Sequence, residues 1–466
     1  MSLTKVSYSM ITAAPVNAVD FGVVVGATDN ATALQAAITY AASIGSNLIL
    51  PAGNINIATP ITIDVTTPMG VIGQGSELSS ITYTGAANVS AVTITGNYNR
   101  RVTMSGFSIL KSGTSTTSTG LLITKIYGGM FNDINVSGFQ INITCNDVND
   151  LKFLRLMCSG ATLYGIYMAL GSGGVSYPNL NDFDTCNFIN NAQNAVVIDN
   201  GCNNTFRTCN FGYNGTVGNS NSASIRLTNS YGGNGGGFVL VENCYFEQNS
   251  GKDFWTTCNG PGAYNFINNS FNKVTAGINP TNHIYLDATP LSSGTNLENR
   301  LVMIGNSFAK LNNYTGTDED VLLIYGSGGF TNFVVVDENV YDAKEQTPTT
   351  YNLPLKSFNN DRSNTVNKVS ELNLLGKDST GVVKSGGGVS SVSQDKNWVN
   401  ANLNVYVIKA DVKTIAAYFS STGAFVPFQA ITANAPPYIK GGMYFDTTLN
   451  KVRIGGATGW ETVTST

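Results

Sequence analysis

The chain has 466 residues, a formal net charge of −4, 12% charged residues, 50 glycines, 21 tyrosines and 22 phenylalanines. That length buries a core without disulfide or metal staples, and a composition so poor in charge and rich in aromatics favours β-structure over helical bundles. With no Lys/Arg run and no net positive charge, the chain lacks the electrostatic footprint of a nucleic-acid partner.

Residues 1–19 read as a lead-in segment. Its start, MSLTKVSYSMITAAP, lacks a charged region followed by an apolar one, and no stretch of the chain approaches about 18 apolar residues. Neither a signal peptide nor a membrane partner is expected. Seven cysteines, at 145, 158, 186, 202, 209, 244 and 258, include no Cys-x-x-Cys pair, so reduced core thiols are expected, not a disulfide framework or a zinc site. No metal or other cofactor is implied.

The first element is a helix over 29–44, in TDNATALQAAITYAASIG. Leu34, Ala37, Ile38 and Ala41 share one face, Asp29 or Asn30 caps the start and Gly45 ends it. NLILPAGNINIATPITI follows as two short strands.

Beyond these, short apolar segments alternate with Gly and Asn, and nine of them fit one template. It runs apolar, two free positions, apolar or Asn, one free position, then apolar or aromatic. The segments are MSGFSI, FNDINV, FLRLMC, FDTCNF, FRTCNF, LVENCY, FINNSF, MIGNSF and VDENVY. They end at Ile109, Val136, Cys158, Phe188, Phe211, Tyr245, Phe271, Phe308 and Tyr341, roughly 29 residues apart with individual steps of about 22 to 37. A constant phrase at a variable step means fixed strands joined by loops of changing length.

A repeat that cannot bury its own apolar face must stack on its neighbours, which predicts a parallel β-helix. Asn243, Asn269, Asn306 and Asn339 are expected to form an amide ladder, and the closing residues a core column. The helix is expected to cover the open end of the first coil.

VDFGVVVGATDNATALQAAITYA, LILPAGNINI and GVIGQGSELSSI together resemble the opening of the pectate-lyase-like β-helices of bacteriophage tailspikes and capsule depolymerases. The chain keeps Asp20, Phe21, Gly22 and Asp29 of that entry motif and replaces the family's Gly-Asp-Gly with a more apolar run. GGMYFDTTLNKVRIGGATGWETV resembles the closing segment of phage fibre and tailspike proteins. The resemblance implies an all-β, right-handed parallel β-helix with a short N-terminal capping helix and a small C-terminal β domain. It also implies a homotrimer on the virion tail, beside other tail proteins, that binds and cleaves a bacterial surface polysaccharide. The larger N-terminal anchor of many tailspikes is missing, which implies a trimmed chain or a spike attached by a short segment.

The phrases stop after Tyr341, and TPTTYNLPL and SGGGVSSVSQ bring turn and linker residues. The β-helix is therefore placed at 20–345 and the C-terminal domain, for trimerisation or glycan binding, at 346–466. Within the latter, NLNVYVIKADVKTIAAYF and GGMYFDTTLNKVRIGG alternate like strands.

Stacked coils bring equivalent positions to about 4.8 Å of each other. The two free positions then hold Asp184/Thr185, Arg207/Thr208 and Val241/Glu242 in successive coils, after Leu154/Arg155. One reading is a ladder of surface salt bridges, Arg155 with Asp184 and Arg207 with Glu242. The other is a groove where two carboxylates act on a glycosidic bond while Arg155 and Arg207 hold an acidic sugar. Glu242 is the first catalytic candidate, and Asp184, two coils away, and Glu247, past the bend on the same coil, compete as its partner. Tyr177, Tyr213 and Trp255 offer aromatic faces for sugar stacking, against a core or intersubunit role, and Trp255, only a few residues past Glu247, is placed to wall the same groove as Glu242. His283, the one histidine, reads as a satisfied polar residue.

A hydrolase is the leading expectation. A polysaccharide lyase acting by β-elimination and a non-catalytic glycan-binding fibre are the alternatives.

Overall fold

In the computed structural model the helix is Ala31–Ile44, starting two residues later than expected. Asp29 caps it, its Oδ1 accepting from the Ala31 and Ala58 N–H groups at 2.9 Å each. The Ala58 and Ala31 amides hold its carboxyl below the usual carboxylate range. Asn30 instead turns to Val24, accepting from its N–H at 2.8 Å and donating to its carbonyl at 3.0 Å. Gly45 ends the helix at φ 63°, a left-handed conformation that costs glycine little. Leu34, Ala37, Ile38 and Ala41 are buried.

The helix closes a sheet edge. Gln35 accepts from the Thr62 N–H at 2.8 Å and donates to the Thr62 carbonyl at 2.8 Å, in the outermost strand, Ile61–Asp64. A side-chain amide thus takes the backbone hydrogen bonds that another strand would take.

The structure describes residues 14–309 apart from 66, 99–100, 114–116, 173, 217–220, 229–237, 258–261, 273–281 and 288–299, and residues 443–463; between 320 and 430 it describes strand backbones. The chain divides into two units, Met1–Phe333 and Val334–Thr466. Cys258, Asn339 and the boundary expected near 345 lie outside the described residues.

The first unit is a parallel β-helix. From residue 149 each coil carries three strands, as in Phe238–Glu242, Tyr245–Glu247 and Lys252–Thr257, which we call the first, second and third faces. The third faces pair into a 10-stranded parallel sheet. The first and second faces join in one larger parallel sheet, because Val102–Lys111 and Tyr127–Ser137 each run unbroken through the first bend.

Aromatic columns fill the interior. Phe131, Phe153, Phe183 and Phe206 stack with ring centroids 5.0, 4.9 and 4.8 Å apart. Phe188, Phe211, Phe246, Phe271 and Phe308 stack at 5.0, 4.8, 4.7 and 4.7 Å. These spacings match the rung distance of a sheet, so ring stacking and backbone pairing satisfy the same geometry.

One phrase is displaced from its expected register. Val241 pairs with Phe266, Glu242 with Ile267 and Phe246 with Phe271, so the phrase is VENCYF and Phe246, not Tyr245, closes it. Leu240 and Val241 are both apolar, so LVENCY fits the template as well, and a one-residue slip exchanges inside for outside. The correction removes Asn243 from the amide ladder. Cys244 N–H donates to Asn269 Oδ1 at 2.9 Å, and Asn269 Nδ2 donates to Asn306 Oδ1 at 2.9 Å. A second ladder, unforeseen from sequence, runs Asn191, Asn214, Asn249 with Nδ2-to-Oδ1 distances of 2.9 and 3.1 Å.

Asn243 sits in the first bend with φ 53°. So do Gly106, Asp133, Arg155, Thr185, Thr208, Asn268 and Gly305, at φ 69, 54, 50, 55, 53, 54 and 67°. This left-handed column turns the chain from the first face to the second. Its amides hold the coils together: Arg155, Thr185 and Thr208 donate at 3.0 Å to the carbonyls of Asp184, Arg207 and Glu242.

In the second unit Val369–Lys377, Val383–Ser393, Ala401–Lys409, Val412–Phe419 and Phe425–Pro427 form an antiparallel sheet. Met443–Asp446, Lys451–Gly455 and Trp460–Thr462 form another antiparallel set, as the alternation predicts. Its turn is fixed by buried Asp446, which accepts from the Thr448 and Leu449 amides at 3.0 and 3.1 Å.

Candidate functional site

Side chains alternate along a strand, so Asp182 and Asp184 both point outward on either side of buried Phe183. Pairing then builds two outward columns on the first face. Leu154, Asp184, Arg207 and Glu242 occupy one; Lys152, Asp182, Thr205 and Leu240 occupy the other. Asp184 and Glu242 are two rungs apart, roughly 9.6 Å between backbones.

Arg207 occupies the rung between them. Its Nη1 lies 2.9 Å from Asp182 Oδ1 and its Nε 3.6 Å from Glu242 Oε2. The three side chains stay open to solvent, with 42% exposure for Arg207 and 32% for each carboxylate. Asp184 Oδ1 accepts from Thr185 Oγ1 at 2.9 Å.

Other expected members go elsewhere. Arg155 stands in the left-handed bend, one position past the column of Asp184, and its Nη2 donates to Asn132 Oδ1 at 2.9 Å. The expected Arg155–Asp184 pair is therefore not made, whereas the Arg207–Glu242 pair is. Glu247 lies on the second face, in register with Gly212 and Asn272. Tyr213 follows that face at a second bend, with φ 57° and 48% exposure.

Trp255 lies on the third face, in register with Arg226 and Tyr285. The Arg226 guanidinium sits 4.4 Å from its ring centroid and Lys252 Nζ 4.3 Å, so two cations cover the indole. The bends at 243–244 and 248–251 separate Glu242, Glu247 and Trp255, putting neighbours in sequence on three different faces. Trp255 does not wall the groove of Glu242. Tyr177 lies in the loop leading to the first face, beside Asn179, which bridges Asn149 and Cys202.

The structure thus gathers Asp184, Arg207 and Glu242 and adds Asp182 and Lys152, which the template concealed. Their signal was period-two alternation: each lies two residues before a first free position, Asp184 and Leu154. His283 is interior, with Nδ1 2.6 Å from Asp253 Oδ2. Among the described residues no three His, Cys, Asp or Glu side chains are grouped to hold a metal ion, and no helix is long and apolar enough to cross a membrane. Chemically, a face bearing spaced carboxylates can protonate a leaving oxygen from one group and activate water with another.

The fold has relatives among solved structures. ORF18 of Geobacillus virus E2 superposes with a TM-score of 0.52 at 16% identity, over 97% of this chain and 86% of that one. Tailspike protein 2 of Escherichia coli O157:H7 bacteriophage CAB120 superposes with a TM-score of 0.51 at 11% identity, over 86% of this chain and 62% of that one. The gp42 tailspike of Acinetobacter phage vb_AbaP_AS12 gives 0.48 at 13% identity, over 92% and 85% of the two chains. No family model matches the sequence, and no curated protein matches it. The chain has the parallel β-helix architecture found in phage tailspikes.

Proposed function

We propose that the chain is a phage tailspike depolymerase, acting as a homotrimer on the virion tail, that hydrolyses a glycosidic bond in a bacterial capsular or exopolysaccharide. The observation that carries this reading is the alignment of Asp184, Arg207 and Glu242 on one solvent-facing column. Glu242 and Asp184 are the working carboxylates. Their backbones stand roughly 9.6 Å apart, and side-chain flexibility brings the carboxyl groups within the roughly 6.5–9.5 Å that leaves room for an attacking water in an inverting reaction. Arg207 orients Glu242 and counters the charge of Asp182. Glu247 emerges beyond the bend on another face, which favours Asp184 as the partner.

The test is degradation of purified polysaccharide from a susceptible host in heavy-oxygen water, followed by mass spectrometry. Hydrolysis predicts a new reducing end carrying the heavy oxygen, lost in Glu242→Gln and Asp184→Asn while glycan binding survives. Undiminished turnover by Glu242→Gln removes that residue from the site. An unsaturated, ultraviolet-absorbing product without label would establish β-elimination instead.

A further inference from the structure

A hollow opens on the first face in the coils that lead up to that of Asp184. It has a volume of about 250 Å³ and crosses three coils, with Arg101 from the first, Gly128 and Gly129 from the second, and Asp150 and Lys152 from the third. Gly128 lies in its floor, beneath the Arg101 side chain. A side chain at Gly128 would meet Arg101 Nε at 3.2 Å, so the coil presents backbone to the hollow there, whereas one at Gly129 would point inward, against buried Leu151 at 2.9 Å and Phe131 at 3.0 Å. Gly128 has φ 76°, which a side chain would strain as well.

Charge and position give the hollow its chemistry. Arg101 and Lys152 are exposed at its rim, and neither pairs with a carboxylate among the described residues. Asp150 offsets one of the two positive charges, leaving an excess of one. Lys152 is also in register with Asp182, so the hollow is continuous with the column pair that holds Arg207 and Glu242. In a chain with only 12% charged residues, two unpaired cations over a backbone floor mark a place prepared for an anion.

We infer that this hollow is a subsite for the carboxylate of an acidic sugar unit, held by Arg101 through a bidentate contact and by Lys152 as a point charge. The inference rests on the first face being the polysaccharide face, and it names the substrate class: a polymer bearing uronate or other carboxylated units a few residues from the bond cleaved.

The experiment measures retention of the full chain on a panel of purified bacterial polysaccharides, some carboxylated, some sulfated and some neutral. Each carboxylated polymer is also tested after chemical reduction of its carboxyl groups to alcohols. Expected are retention on carboxylated polymers, loss of retention after reduction, and a weakening of about tenfold or more for Arg101→Gln or Lys152→Gln, the cost of one charge-assisted contact. Both residues are exposed, so unchanged thermal unfolding of the variants verifies their folding. Equal binding to native and reduced polymers, preference for sulfated or neutral polymers, unaltered binding by both variants, or no retention on any carboxylated polymer overturns the subsite. Glu242→Gln separates the two claims: if it still cleaves while Arg101→Gln loses retention, the catalytic reading fails and the subsite stands.

Discussion

Arg207 reaches sideways to Asp182, with Nη1 2.9 Å from Oδ1, crossing from one outward column to the next, while its Nε stays 3.6 Å from Glu242 in its own column. The guanidinium is thus the link between the two columns. Pairs this exposed contribute about 0–1 kcal/mol each, so a purely structural ladder has little to hold. Arg207→Leu is expected to change the unfolding free energy by no more than about 1 kcal/mol. It should also lower depolymerisation about 100-fold, because Glu242 loses the group that orients it. A variant with full activity and reduced stability would make the ladder structural only.

The first bend carries its own expected cost. Thr208 has φ 53°, a region where a β-branched residue is strained, and what keeps it there is its amide's 3.0 Å bond to the Glu242 carbonyl. Asparagine enters the same region readily, as Asn243 and Asn268 do in the next two coils. Thr208→Asn is expected to raise stability by about 1 kcal/mol, read from the denaturant midpoint. An unmoved midpoint would show that the bend stores no strain.

The fold was legible because its signal is repeated. Of the eight phrases that lie within the described residues, seven fall in the expected frame, the aromatic columns follow from them, and Gln35 closes the edge that the helix was expected to cover. The missed frame is instructive, since Leu240 and Val241 are both apolar and only the partner strand decides which faces inward. The site was less legible for a related reason. Sequence proximity suggested that Glu242, Glu247 and Trp255 share a groove, but each short strand ends in a bend, and bend angles leave no mark on residue spacing. The pairing of Arg207 with Asp182 was hidden as well, because the template followed one outward column and not its neighbour.

The thiols offer a direct check of the interior. Cys145, Cys158, Cys209 and Cys244 are buried, and desolvation pushes each thiol well above its ordinary range. The thiolate is the reactive form, so these four should resist a thiol-specific disulfide reagent at pH 8 in the native protein and react fully once unfolded. Rapid labelling of any of them under native conditions would show that its coil opens.

The second amide ladder ends at a carboxylate for a reason of hydrogen-bond direction. Asn191 donates to Asn214, Asn214 to Asn249, and Asn249 Nδ2 to Asp253 Oδ1 at 2.9 Å, so donors point one way and the last acceptor must be a group that need not donate onward. Asp253, fully buried, fills that role and takes His283 Nδ1 on its other oxygen at 2.6 Å. Asp253→Asn places an NH2 against one of these two donors and is expected to lower the unfolding free energy by about 2 kcal/mol or more. His283→Phe is the companion test, because His283 packs with its ring centroid 5.5 Å from both Phe271 and Phe308. If aromatic packing alone mattered, phenylalanine there would leave stability equal or higher. If the buried carboxylate needs the imidazole donor, His283→Phe loses stability like Asp253→Asn, while polysaccharide cleavage per folded molecule stays at the parent level at low temperature.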